Sequence, residues 1–158
     1  MTEANPEFMR MAIALASEGA STGQGGPFGA VIVKNGEIVA TGNNRVTSTN
    51  DPTAHAEVVA IRAACNILQS WQLTGCELYT SCEPCPMCLG AIYWARPDRV
   101  YYASDRFDAA AIGFDDEFIY QEINCALPDR KIPTSQFMRE EGLAVFKEWS
   151  EKTDKIEY

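Results

Sequence analysis

An α/β sandwich built around a mixed sheet is the fold class this sequence predicts, and three observations carry it. A helical pattern opens the chain, a hairpin signal follows at Asn35-Gly36, and short β-rich runs then alternate with helix-length apolar segments. The 158 residues suit one domain, 1–158, with room for a real core. Apolar residues make up 46% and charged residues 22%, ordinary proportions for a globular chain, with no repeats or low-complexity stretches to suggest otherwise.

Taken in order, Asn5-Pro6-Glu7 combines an N-cap, a proline at the first helical position and an acid in the first turn. Phe8, Met11, Ala12 and Leu15 continue at helical spacing, and Gly19 is the expected stop. The glycine-rich segment 23–29 lacks the Gly-Lys-Ser/Thr of a phosphate loop. It reads either as a tight turn into a strand or as a loop that brings Phe28 against a flat ligand. Residues 30–34 and 37–40 read as two strands joined by Asn35-Gly36. Gly42-Asn43-Asn44-Arg45 is polar, and its asparagines alone suggest turn formers.

Asp51-Pro52-Thr53 marks a helix entry, and 55–68 reads as an apolar-rich helix with His55 on its first turn. Residues 77–80 form a short strand. Pro84 and Pro86 open a helix to about Ala95, and 99–103 is a further strand. Beyond it, a helix is expected to begin near Asp115, 125–133 reads as a loop, and Val145, Phe146 and Trp149 share one face of a terminal helix.

Two segments carry the chemistry: His55-Ala56-Glu57 and Pro84-Cys85-Pro86-Met87-Cys88. An H-x-E followed by P-C-x-x-C is the pattern of zinc sites that act on amino groups of nucleobases. One imidazole and two thiolates give Zn²⁺ three protein ligands and leave its fourth position to water. The metal lowers that water's pKa from about 15.7 towards roughly 7, giving hydroxide at neutral pH. Glu57 lies two residues after His55, and side chains at that separation on a helix point different ways, so it is expected to move protons rather than bind metal. Both segments fall at predicted helix N-termini, which favour thiolates and a developing anion. A redox dithiol at Cys85 and Cys88 would not call for the His-x-Glu. A closed structural site would call for a fourth ligand, yet His55 is the only histidine and Cys65, Cys76, Cys82 and Cys125 offer no second knuckle.

Charge narrows the partners. At −9, with 13 basic residues scattered along the chain, the protein lacks the basic stripe that neutralises phosphates, so no nucleic acid is expected. No apolar run is long enough to span a bilayer, so no membrane partner is expected either. The opening Met-Thr-Glu-Ala-Asn-Pro has no features of an export signal, and six cysteines then fit a cytoplasmic protein rather than a disulfide scaffold.

With these residues in view, the chain resembles the cytidine deaminase-like superfamily and, within it, the small zinc-dependent guanine deaminases. The resemblance rests on 25–33, 51–57, 81–97, Gly113-Phe114-Asp115-Asp116 and the terminal Glu157-Tyr158. The zinc motifs define only the superfamily; the last two segments narrow it to guanine. The resemblance implies a three-layer α-β-α sandwich with a five-stranded mixed sheet, zinc on His55, Cys85 and Cys88, and Glu57 as proton shuttle. It implies that Asn44 and the Ala56 backbone hold a purine, that Phe28 packs on it, and that Asp116 rather than Asp115 faces its amide edge. It also implies a homodimer whose C-terminal segment crosses over, placing Tyr158 on the neighbour's site. The expected reaction is hydrolytic deamination of guanine to xanthine and ammonia by zinc-bound hydroxide. Guanosine deamination, tRNA adenosine deamination and a non-catalytic zinc module are the alternatives.

Overall fold

Along the central strands, successive side chains point to opposite faces, and both faces are apolar; helices cover each. The computed structural model describes residues 3–114 and 116–158, and these divide into two units, one ending at Glu117 and the other Phe118–Tyr158. The first unit runs α1 (Pro6–Ser21), β1 (Gly29–Lys34), β2 (Glu37–Asn43), α2 (Val46–Thr49), α3 (Ala56–Leu68), β3 (Cys76–Cys82), α4 (Pro86–Ala95), β4 (Arg99–Ser104) and α5 (Arg106–Ala111). The sheet order is β2-β1-β3-β4, antiparallel for β1 with β2 and with β3, and parallel for β3 with β4.

Val31, Val33 and Tyr79 pack with Ala12 of α1, while Ala30, Ile32 and Leu78 pack with Ala56, Ala60 and Ala64 of α3 and Ile92 of α4. The result is the expected three layers. Asn5 caps α1 as expected, its side chain accepting from the Glu7 amide at 2.9 Å. The β1–β2 turn places Asn35 and Gly36 at φ 53° and 79°, the left-handed pair that a two-residue hairpin needs. Gly42 lets β2 lie directly on α3, since a Cβ there would stand 2.4 Å from the Ala56 carbonyl oxygen.

Several expectations are corrected. Among the described residues the sheet has four strands, not five. After β4 the chain turns helical, because Asp105 accepts from the Phe107 and Asp108 amides while Asp108 accepts from the Asp105 amide, a complete capping box. Gly19 does not stop α1, which continues to Ser21; the glycine is buried in the helix against Asn43. His55 is the N-cap of α3, with extended backbone, rather than a first-turn residue. Gly42 and Asn43, expected in a polar turn, belong to β2 and pair with Ala30 and Gly29; Asn44 and Arg45 then lead into the short α2, whose closing residue Asn50 takes a left-handed conformation.

The second unit holds most of α6 (Glu117–Asn124), a 3₁₀ turn (Leu127–Asp129) and α7 (Arg139–Glu151). The expected start of α6 near Asp115 touches a position outside the described residues, and the helix itself opens at Glu117. No residue of α7 is buried, and Val145, Phe146 and Trp149 remain exposed on it.

Candidate metal and active site

Two helix starts converge at the C-terminal end of β3. His55 immediately precedes α3, and Cys85 caps α4, its sulfur accepting from the Cys88 amide at 3.5 Å. The prolines at 84 and 86 suit this entry: one cannot continue a strand ladder, and the other sits where a helix needs no amide donor. His55 Nδ1 lies 3.5 Å from Cys85 Sγ and 3.5 Å from Cys88 Sγ, and the three donor atoms fall within 4.8 Å of one another.

The donor set fits zinc. Bonds of about 2.3 Å to sulfur and about 2.05 Å to nitrogen, meeting at a tetrahedral angle, put the two donor atoms roughly 3.5 Å apart. The local electrostatics agree. The hydrogen bond from Cys88, aided by His55, brings the Cys85 thiol down to about 4, so it is a thiolate at neutral pH. Cys88 is pushed upward, first by its bond to Cys85 and then by burial, and holds the proton. His55 is raised by its bond to Cys85. The site binds Zn²⁺ through the chemistry of these residues.

Glu57, on the first turn of α3, is only 5% exposed. Burial raises its carboxyl above the usual range. One oxygen accepts from the Thr80 hydroxyl at 3.1 Å, and the other lies 3.4 Å from Cys88 Sγ. The carboxyl thus touches the donor cluster without joining it.

Phe28, His55, Glu57, Cys82, Glu83, Cys85, Ala109, Phe114 and Asp116 line one cavity of about 150 Å³. The Phe28 and Phe114 rings meet edge to face, with centroids 4.9 Å apart. Asn44 lies beside this wall, 4% exposed, with Oδ1 accepting from the Gly26 and Val46 amides at 3.2 Å each. Ala56 opens α3, where its amide has no intrahelical acceptor. Of the predicted residues, Phe28, His55, Glu57, Cys85 and Asp116 therefore share a cavity, Cys88 joins the donor cluster, and Asn44 and Ala56 adjoin them. Tyr158 belongs to the second unit and is exposed, and Asp115 lies outside the described residues.

Sequence reasoning did not assign Thr80, Cys82, Glu83, Ala109 or Phe114. Burial raises the Cys82 thiol to about 11, so it stays protonated. Glu83 accepts from the Arg106 amide at 3.1 Å and ties the cysteine loop to the start of α5. Thr80 left a signal: it is a hydroxyl on the face of β3 that otherwise presents Leu78 to the core.

Residues 2–104 match the family described as the cytidine and deoxycytidylate deaminase zinc-binding region. Over 151 residues the chain is 58% identical to the guanine deaminase of Bacillus subtilis, covering 96% of this chain and 97% of that one. A tRNA-specific adenosine deaminase of Aquifex aeolicus is 47% identical over 78 residues, 49% of this chain and 52% of that protein. Among solved structures, that of the B. subtilis guanine deaminase superposes with a TM-score of 0.96 at 56% identity, covering 99% of both chains. A guanine deaminase from Nitrosomonas europaea superposes with a TM-score of 0.68 at 35% identity, covering 73% and 68%.

Proposed function

This chain belongs to the zinc-binding cytidine and deoxycytidylate deaminase family, and on that premise we propose that it hydrolyses guanine to xanthine and ammonia. The full-length identity to a guanine deaminase is the observation that carries the substrate. The cavity, lined by Phe28, His55, Glu57, Cys85 and Asp116, supports a small planar substrate held beside the metal-ligating group.

His55, Cys85 and Cys88 hold the zinc, which when bound supplies the Lewis acidity that makes a water nucleophilic at neutral pH. The remaining work falls to side chains. Guanine offers N1–H and its 2-amino group as adjacent donors, and the ionised carboxylate of Asp116 is an acceptor-only partner for that edge. Phe28 packs against the ring. With Asn44 Oδ1 engaged by loop amides, its Nδ2 is the group left to donate to the base. The Ala56 amide supplies a second donor. Glu57 takes one proton of the attacking water and gives it to a ring nitrogen as C2 becomes tetrahedral; it then takes the remaining hydroxyl proton from C2–OH and passes it to the amino group, so that the C2–N bond breaks, ammonia leaves and the carbonyl of xanthine forms.

The chain works as a single deaminase domain in a homodimer, with its C-terminal segment crossing to the partner so that Tyr158 closes the neighbouring site. The exposed apolar face of α7, and Tyr93 and Trp94 exposed on α4, support an assembly that would cover them. The acidic charge supports a small-molecule purine rather than RNA as substrate.

The test is ammonia release from guanine, guanosine, adenine and cytosine by zinc-loaded protein. Release confined to guanine, with xanthine as product, is the expected result. Turnover of guanosine in preference to guanine would overturn the free-base reading.

A further inference from the structure

Thr80 sits in the central strand β3 between Ala30 of β1 and Tyr102 of β4, and it is 1% exposed. Its neighbours on β3 reveal which way it faces. Tyr79 belongs to the core under α1, Leu78 belongs to the core under α3, and Thr80, two residues after Leu78, faces α3 as well. Packing alone asks for an apolar β-branched residue there, and valine has the same outline. A threonine adds one hydroxyl, which when buried must find a partner. That partner is Glu57 Oε1, at 3.1 Å and 23 residues away in sequence.

The other carboxylate oxygen, Oε2, faces the donor cluster instead, 3.4 Å from Cys88 Sγ. The two oxygens thus lie on different sides, one held by the strand and the other turned toward the metal-ligating group.

We propose that Thr80 is a positioning residue for this reaction: its hydroxyl anchors Glu57 Oε1 so that Oε2 is the oxygen presented to the reacting atoms. This rests on the deaminase reading above. The anchor fixes, from the sheet side, the rotation of a side chain on the first turn of α3. Glu57 then transfers protons from one oxygen, in one orientation, without a search between rotamers in the transition state.

Thr80→Val and Thr80→Ser test the proposal beside the wild-type protein, all zinc-loaded. Thr80→Val should lower kcat for guanine by roughly ten- to a hundredfold, the scale of a lost hydrogen bond to a charged group, with KM within about twofold. Thr80→Ser, which keeps the hydroxyl, should recover most of that loss. Unchanged kcat in Thr80→Val, or equal losses in the two variants, would overturn it. A second readout needs no turnover: the Glu57 carboxylate stretch, identified by infrared difference against Glu57→Gln. It should shift in Thr80→Val and return in Thr80→Ser, and an unmoved band would overturn the anchor whatever the substrate proves to be. Silence of the wild-type protein on guanine, with the band still shifting, would overturn the substrate and leave the anchor standing.

Discussion

Cys85 and Cys88 hold one proton between them before metal arrives, the first as thiolate at about 4 and the second as thiol. Zinc must expel the Cys88 proton, together with whatever fraction His55 carries because its own pKa is raised. Zinc binding near neutral pH should therefore release at least one proton, and the apparent affinity should fall about tenfold for each unit of acidification. Calorimetry in buffers of different ionisation enthalpy measures the count, and a value of zero would contradict the thiol–thiolate pair. Asp116 is a second case at this scale. Replacing it by asparagine exchanges one acceptor for a donor facing the N1–H and amino edge, so KM for guanine should rise by about ten- to a hundredfold. Normal steady-state kinetics for Asp116→Asn would remove Asp116 from the base-binding set. The grouping of His55, Cys85 and Cys88 was legible from their spacing because zinc chemistry restricts both residue type and separation. The hydrogen-bond partners of Thr80 and Glu83 were not, because Glu57 and the Arg106 amide lie far away in sequence.

Among the elements, α3 and β2 define how closely the site can be built. The carbonyl of Ala56 and the amide of Ala60 lie where a Cβ on Gly42 would stand, at 2.4 and 2.7 Å. Gly42→Ala must push strand and helix apart, and α3 carries both Glu57 and the residue after His55. The expected cost is about 1–3 kcal/mol, read as a lower Tm, with zinc affinity reduced alongside. An unchanged Tm would mean that β2 shifts freely. Local signals gave most element positions: the Asn5 cap, the Asn35-Gly36 turn and the proline-flanked start of α4 all stand where expected. The missed features are tertiary or depend on side-chain bonds to backbone. Asp105 and Asp108 form a capping box that starts α5, a helix that the sequence reading did not anticipate. Gly19 reads as a helix stop until Asn43 is seen packed against it.

At the scale of the whole molecule, the two halves differ in character. The first unit has apolar cores on both sheet faces, whereas α7 of the second buries none of its residues. The terminal helix and its apolar face were legible from periodicity, whereas spacing carries no information on what packs against such a face. A homodimer with the C-terminal segment exchanged predicts a mass of twice 17.4 kDa by sedimentation at micromolar concentration. It further predicts that removing α7 and the tail weakens dimerisation. A monomer that turns over guanine at full rate would contradict the exchanged arrangement. No helix among the described residues is long and apolar enough to cross a membrane.

The central claim is that Glu57 moves the protons of a zinc-dependent guanine deamination, and the most direct measurement compares wild-type protein with Glu57→Gln at matched zinc content. Glutamine keeps the acceptor for Thr80 and the shape of the side chain but cannot shuttle a proton. The variant should bind one zinc, retain its fold and lose about 10²–10⁴-fold in kcat for guanine. A Glu57→Gln protein that releases ammonia at the wild-type rate would contradict it.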